Sequence, residues 1–375
     1  MKKLTLRGSF FEMGRQYGTE CKKEIRSFAK MSYIMASLSK KPGSQPFNPN
    51  MWRFLPTLFT YKKEKSRWQG LAKDYEKEIM KYHPDAIDFM EGIAQGAEIP
   101  YIDVLAMNVA TENMITCSAW GAAGTSTLNN ETLLGMNADE ETAASKHYHF
   151  LNINPDKGYR YKVTALSGWA GFNHGMNEKG LSWAGTLLWT KPETPKTLRP
   201  PMMVLMKVLN TCSTVDEVRE YFDSVPNIEL GNVFYIADPE KIMHVECTYE
   251  KRVYRIIENG SQGNTNLVTS PELQHLDIGQ SLKQNLNAYT RSVRMNKLLS
   301  WYDGKIDVEV MHVIASDHGE EEDGTLNKSI CQHPRGLKYN YKTLVNFIAQ
   351  PCQKRFWIYE GCPCENRVSE YNFND

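Results

Sequence analysis

The sequence carries no net charge: 44 lysines and arginines offset 44 aspartates and glutamates in 375 residues. That balance supplies no electrostatic pull toward nucleic acid or an anionic membrane surface. Long apolar runs are also missing, and no window approaches the roughly 18 uncharged apolar residues of a membrane-spanning helix. Met1-Lys2-Lys3 has the charge of a signal-peptide start, but Arg7 and Glu12 interrupt any apolar stretch behind it, so a cytoplasmic protein is expected. Cysteine is sparse. The eight present, at 21, 117, 212, 247, 331, 352, 362 and 364, are too scattered for a disulfide scaffold in a chain of this length. There is no GxGxxG or Walker loop, because Gly168, Gly171 and Gly175 have the wrong spacing. His147-x-His149 and Cys362-Pro363-Cys364 lack the second CxxC or HxxxH half of a zinc motif, so no metal or other cofactor is expected. Repeats, low-complexity tracts and linkers are absent, which favours one domain over residues 1–375.

What is present divides at about one third of the length. Residues 4–9 have strand character, 11–39 helical character, and 71–95 form a helical stretch broken at His83-Pro84, with another helix over 102–112. Between them, residues 40–68 are rich in proline, glycine and aromatics, and are expected to form a loop or short helices. Beyond Cys117 the period changes to two. Strands are expected at 118–123, 132–138, 149–154, 160–166, 172–177 and 181–186, then at 232–237, 242–248, 253–257, 344–349 and 355–360. Helices interrupt them at 201–209, at 215–224 behind the Thr214-x-x-Glu217 capping box, at 285–301 and at 308–316. Strands, a helical pair and strands again suit an α+β fold with two antiparallel sheets and helices outside both.

Cys117 stands at the change of period. If the Thr116–Cys117 peptide bond is cut, thiol and α-amine belong to one residue, and an amine titrating near 7.7–8.0 can serve as base for its own side chain. That is the logic of an N-terminal nucleophile hydrolase, with residues 1–116 as one product and 117–375 as the other.

The run Gly8-Ser9-Phe10-Phe11-Glu12-Met13-Gly14-Arg15-Gln16-Tyr17-Gly18 resembles the opening of the acyl-CoA:6-aminopenicillanic acid acyltransferase family, relatives of the choloylglycine (bile salt) hydrolases. The resemblance continues through Glu91-Gly92-Ile93-Ala94-Gln95-Gly96-Ala97, Leu105–Asn108, Cys117, Leu134–Asp139 and Gly175–Leu181. It recurs at Gly231–Asp238, Ser316-Asp317-His318 and Ser329–Pro334. It implies the four-layer αββα sandwich of N-terminal nucleophile hydrolases and a set of site residues. Arg291 matches the arginine beside the nucleophile, where a cation lowers a thiol's pKa. Asp139 matches the aspartate that orients the new α-ammonium, and Asn232 an asparagine donating to the oxyanion. A second asparagine of the bile salt hydrolases has no clear match in Leu181–Leu187, where Thr186 is taken as its substitute. The chain departs from the pattern at Met136, often Arg or Gln in the family, and at Glu140, often aromatic. Arg294, one turn beyond Arg291, is the other arginine of that helix, and Asp317-His318 is taken as structural.

The implied activity is self-processing hydrolysis or acyl transfer on a linear amide, through an acyl-enzyme on Cys117. An acyl-CoA-dependent N-acyltransferase and an uncleaved, catalytically silent binding protein are the alternatives. The expected partners are a small-molecule amide and, for the transferase, acyl-CoA, with self-association into a homo-oligomer left open. Trp120, Trp169, Trp183 and Trp189, with Trp52 and Phe59 of the aromatic segment, are candidates for the wall and lid of an acyl pocket.

Overall fold

The computed structural model describes residues 1–38, 51–110, 116–171, 174–188, 190, 201–226, 231–248, 251–277, 282–319, 329–334 and 341–373. The chain gathers into two compact units. One holds Met1–Met114, Lys146–Asn173 and Thr194–Thr211; the other holds Ile115–Ser145, His174–Glu193 and Cys212–Asp375. The chain enters the first unit through β1 (Lys2–Gly8), α1 (Phe10–Glu20), α2 (Lys22–Leu38), α3 (Met51–Tyr82), α4 (Pro84–Ala97) and α5 (Tyr101–Ala110). The second unit begins with β2 (Thr116–Ala123) and β3 (Leu133–Glu141). The chain then returns to the first for β4 (Tyr148–Pro155) and β5 (Tyr161–Leu166). β6 (His174–Asn177) and β7 (Ser182–Leu187) belong to the second unit, and α6 (Pro201–Thr211) to the first. All that follows lies in the second: α7 (Val215–Ser224), β8 (Asn232–Ala237), β9 (Ile242–Cys247), β10 (Arg252–Ile257) and β11 (Gly260–Asn264), then α8 (Leu282–Trp301), α9 (Val308–Ala315), β12 (Tyr341–Gln350), β13 (Arg355–Glu360) and β14 (Val368–Asn372).

In the first unit, α1 opens with a reciprocal cap. Ser9 Oγ accepts the Glu12 N–H at 3.2 Å, and Glu12 Oε2 accepts the Ser9 N–H at 3.1 Å. The glycines 14, 18, 92 and 96 let α1 and α4 touch backbone to backbone. A Cβ on Gly14 would collide with the Phe89 carbonyl, and one on Gly92 with the Phe11 carbonyl. The expected helix over 11–39 is two helices, because Cys21 leaves the helical region at φ −113° and ψ 23°. Residues 40–50 lie outside the described residues, and the expected loop or short helices over 40–68 are corrected from residue 51 on, where α3 is one long helix. Along it Glu64, Trp68, Ala72, Tyr75 and Ile79 form a buried or half-buried stripe at helical spacing, which overrides Gly70. The break at His83-Pro84 is where α3 gives way to α4. β1 pairs in parallel with β4, and β4 antiparallel with β5. That parallel pair departs from the all-antiparallel expectation, since alternation identifies a strand but not its partner.

The second unit contains the four layers by itself. β6 to β10 form an antiparallel set in chain order, and the other sheet runs β11-β2-β3-β12-β13-β14, also antiparallel. The sheets meet where Gly121 of β2 leaves room for Ile242 of β9. Phe222 of α7 packs edge-on to Trp183 at 6.1 Å, covering the first set. Trp120, Leu133 and Ile348 of the second sheet are buried against Met295 and Leu299 of α8 and Met311 of α9.

Candidate active site

Strand register assembles the site within the second unit. Trp120 turns toward α8 and α9 while Gly121 turns toward the facing sheet, so alternation puts Cys117 on the sheet-facing side of β2. Pairing of β2 with β3 sets Thr116 opposite Asp139 and Cys117 opposite Ala138. On the other side of β3, β12 sets Thr343 opposite Asp139, with an irregularity in register immediately after it. Asp139 is therefore flanked by the expected scissile position and by Thr343, whose Oγ1 donates to Asp139 Oδ1 at 2.6 Å.

Arg291 reaches this point from α8. Its helix is pinned to β11 by Asn296, whose side chain bonds both the N–H and the carbonyl of Gly263 at 3.0 Å. Asn287, one turn earlier, accepts from Arg291 Nε at 2.7 Å and aims the guanidinium inward. The buried Arg291 then donates to the Cys117 carbonyl at 3.2 Å and to Asn266 Oδ1 at 3.1 Å, and lies 3.5 Å from Asp139 Oδ2. Thr186 Oγ1 donates to the same Cys117 carbonyl at 3.3 Å. Asn266 closes the ring by donating to Thr186 Oγ1 at 2.6 Å and to the Leu187 carbonyl at 2.9 Å. Asn266 was not singled out from the sequence. Its only local signal is a left-handed backbone at φ 76°, which asparagine tolerates.

Burial dominates the electrostatics here. It pushes the Cys117 thiol well above its ordinary range; the Asp139 and Glu140 charges push the same way, while the Asp139 N–H and Arg291 pull down. Burial also raises the Asp139 carboxyl to about 7, against the lowering effects of Arg291 and the Thr343 hydroxyl. Arg291 is drawn down by the same burial and supported by Asp139. Arg291 touches Cys117 through the carbonyl, so its effect on the thiol is one of field rather than contact.

Of the residues expected at the site, the structure brings together Cys117, Asp139, Arg291 and Thr186, with Thr116 in register beside them. Asn232 is buried at the start of β8, opposite Leu187 in register and so one position from Thr186. Arg294 points elsewhere, binding the Asp317 carboxylate through two nitrogens at 2.7–3.2 Å. Trp52 and Phe59 fall on α3, but their side chains, like that of Thr116 and the whole of Trp189, lie outside the described residues. Trp120 and Trp183 are core under α8, α9 and α7 rather than a pocket wall, and Trp169 is buried in the first unit. His147 and His149 share the Ser167 hydroxyl at 3.2 and 2.8 Å, and burial holds both at about 4, as neutral core histidines. Among the described residues, the group with metal-ligand geometry is His318, Cys331, His333 and Cys364.

No helix among the described residues is long and apolar enough to cross a membrane. No curated protein matches the chain significantly. Among solved structures, a mutant conjugated bile acid hydrolase from Clostridium perfringens is 16% identical at a TM-score of 0.46, covering 68% of this chain and 92% of that one. A second variant of that hydrolase gives 17%, 0.45, 68% and 92%. The Caenorhabditis elegans ortholog of N-acylethanolamine-hydrolyzing acid amidase gives 11%, 0.44, 63% and 93%. The match that settles the family covers residues 126–364, which include Asp139, Thr186, Asn232 and Arg291 and begin just after Cys117. The chain belongs to the acyl-coenzyme A:6-aminopenicillanic acid acyl-transferase family.

Proposed function

We propose that the chain is a self-processing cysteine amidohydrolase or acyltransferase acting on a linear amide through an acyl-enzyme on Cys117. The observation that carries the reading is the fully buried Arg291, which joins the Cys117 carbonyl, the Asp139 carboxylate and Asn266 in one network. A protein gains little by burying such a network for stability alone, because desolvating the charges offsets most of their attraction. In the intact chain the thiol is held protonated by burial and by two acids. Cleavage before Cys117 places a neutral α-amine beside Asp139, whose carboxylate stabilises the ammonium formed when that amine takes the thiol proton. In each turnover the α-amine takes the thiol proton as sulfur attacks the amide carbon, then passes it to the departing amine. Water or a second amine releases the acyl group from the thioester.

A ladder of N-acyl glycines tests this, each assayed with and without an amine acceptor, beside an acyl-CoA donor. Cys117→Ala should abolish acyl release, whereas release unaffected by that change would remove the nucleophile. Each further acyl methylene buried adds at most about 0.8 kcal/mol, so kcat/KM should rise roughly three- to fourfold per step until the site is full. Trp52→Ala or Phe59→Ala should flatten that rise, and a profile indifferent to length would count against an apolar wall.

A further inference from the structure

Away from Cys117, three segments of the second unit bring soft ligands to one point. Cys331 and His333 lie on the described stretch 329–334, His318 follows α9, and Cys364 sits in the short turn Pro363–Glu365. Cys331 Sγ and Cys364 Sγ are 3.7 Å apart. His333 Nε2 lies 3.5 Å from the first, 3.3 Å from the second, and 3.0 Å from His318 Nε2. All four ligand atoms fall within 4.8 Å of one another.

The four separations between these pairs are close to the edges of a metal tetrahedron. With Zn–S about 2.3 Å and Zn–N about 2.0–2.1 Å, the edges should be about 3.8 Å between sulfurs, about 3.6 Å from sulfur to nitrogen and about 3.3 Å between nitrogens. We propose that His318, Cys331, His333 and Cys364 bind one zinc ion. Two thiolates with two imidazoles in a tetrahedron select zinc over the harder divalent cations, and four protein ligands leave no open position, so the site is structural.

The surroundings support the ligand geometry. Cys362 Sγ lies 3.6 Å from His333 Nδ1, on the side of the ring away from the cluster, where a partner fixes ring orientation. The Cys331 N–H donates to the Asp317 carbonyl at 2.9 Å, tying one ligand's backbone to the residue before another. Gln332, between two ligands, donates its N–H to Thr343 Oγ1 at 2.9 Å and accepts the Thr343 N–H at 3.0 Å. The clamp would therefore also fix the residue that bonds Asp139.

The test is metal content and ligand-field spectrum of the full chain, expressed with zinc in the medium. Mass spectrometry of the metal should find about one zinc per chain, and cobalt exchanged into chelator-treated wild-type protein should give tetrahedral d–d bands with thiolate charge transfer. Cys331→Ser/Cys364→Ser and His318→Ala should lose most of the zinc, while Cys21→Ser should keep it. If the ligand variants do not fold, the wild-type cobalt spectrum decides. The proposal is overturned by less than about 0.1 zinc per chain with no cobalt spectrum, by zinc undiminished in a folded double-cysteine variant, or by a Cys331–Cys364 disulfide in peptides from freshly lysed cells.

Discussion

Arg291→Ala removes a buried cation that touches Cys117, Asp139 and Asn266 together. Breaking a buried ion pair from one side costs about 3–5 kcal/mol, because the remaining charge stays desolvated. Asp139 can escape part of that cost by protonation, which makes the loss depend on pH in a direction that can be worked out. In the wild type its carboxyl sits at about 7 when folded, against an ordinary 3.8. The folded state thus binds the extra proton, and stability from this group is complete below pH 3.8 and is lost as pH rises through 7. Without Arg291 the folded value rises further, so the loss continues above pH 7 where the wild type has levelled off. The gap between variant and wild type should widen by up to about 1.4 kcal/mol per pH unit between 7 and 8. Urea unfolding at pH 6, 7 and 8 measures it, with iodoacetamide alkylation of Cys117 in parallel, which should be slower in the variant at neutral pH. Arg294→Ala is the control; it breaks a partly exposed pair with Asp317, should cost about 1–2 kcal/mol, and should leave Cys117 alkylation unchanged. A pH-independent gap, or equal alkylation in both variants, would remove Arg291 from the account.

Thr343→Val deletes the hydroxyl that bonds Asp139 at 2.6 Å and receives the Gln332 N–H, so unfolding at pH 8 should show a loss of about 1–3 kcal/mol, smaller at pH 6. Gly14→Ala sets a methyl against the Phe89 carbonyl and should destabilise by about 1–3 kcal/mol or more, seen as a lower Tm. Gly70→Ala, in an exposed part of α3 with open space around it, should raise stability by about 0.5–1 kcal/mol, and equal effects at both glycines would refute the close α1–α4 crossing.

The sequence made Cys117, Asp139 and Arg291 visible through the order of short motifs, and register then explains their proximity: β2, β3 and β12 align Thr116, Asp139 and Thr343 across three strands. Thr343 itself escaped notice because the register shifts after it, and the alternation that marks β12 is clear only from Leu344 onward. Asn266 escaped because its importance is tertiary: Thr186 and Arg291 are 80 and 25 residues away, and no periodicity links them. The four soft ligands escaped for the same reason, being spread over residues 318–364 without a paired CxxC. In the other direction, the glycine-rich motifs of α1 and α4 signal more than kinship, since each glycine marks where two helix backbones touch. α3 was hidden by composition, as its buried stripe begins among residues whose aromatics and glycine suggested a loop.

The measurement that bears most directly on the central claim is the intact mass of denatured, purified protein after prolonged incubation, with Cys117→Ala beside it. Cleavage before Cys117 divides the 43.0 kDa chain in the proportion 116 to 259 of 375 residues, giving fragments of roughly 13 and 30 kDa, the larger beginning at Cys117 by sequencing. The account predicts those two masses for the wild type and one full-length mass for Cys117→Ala. A wild-type chain that stays at 43.0 kDa while retaining amidase activity, or fragments that begin elsewhere, would contradict it.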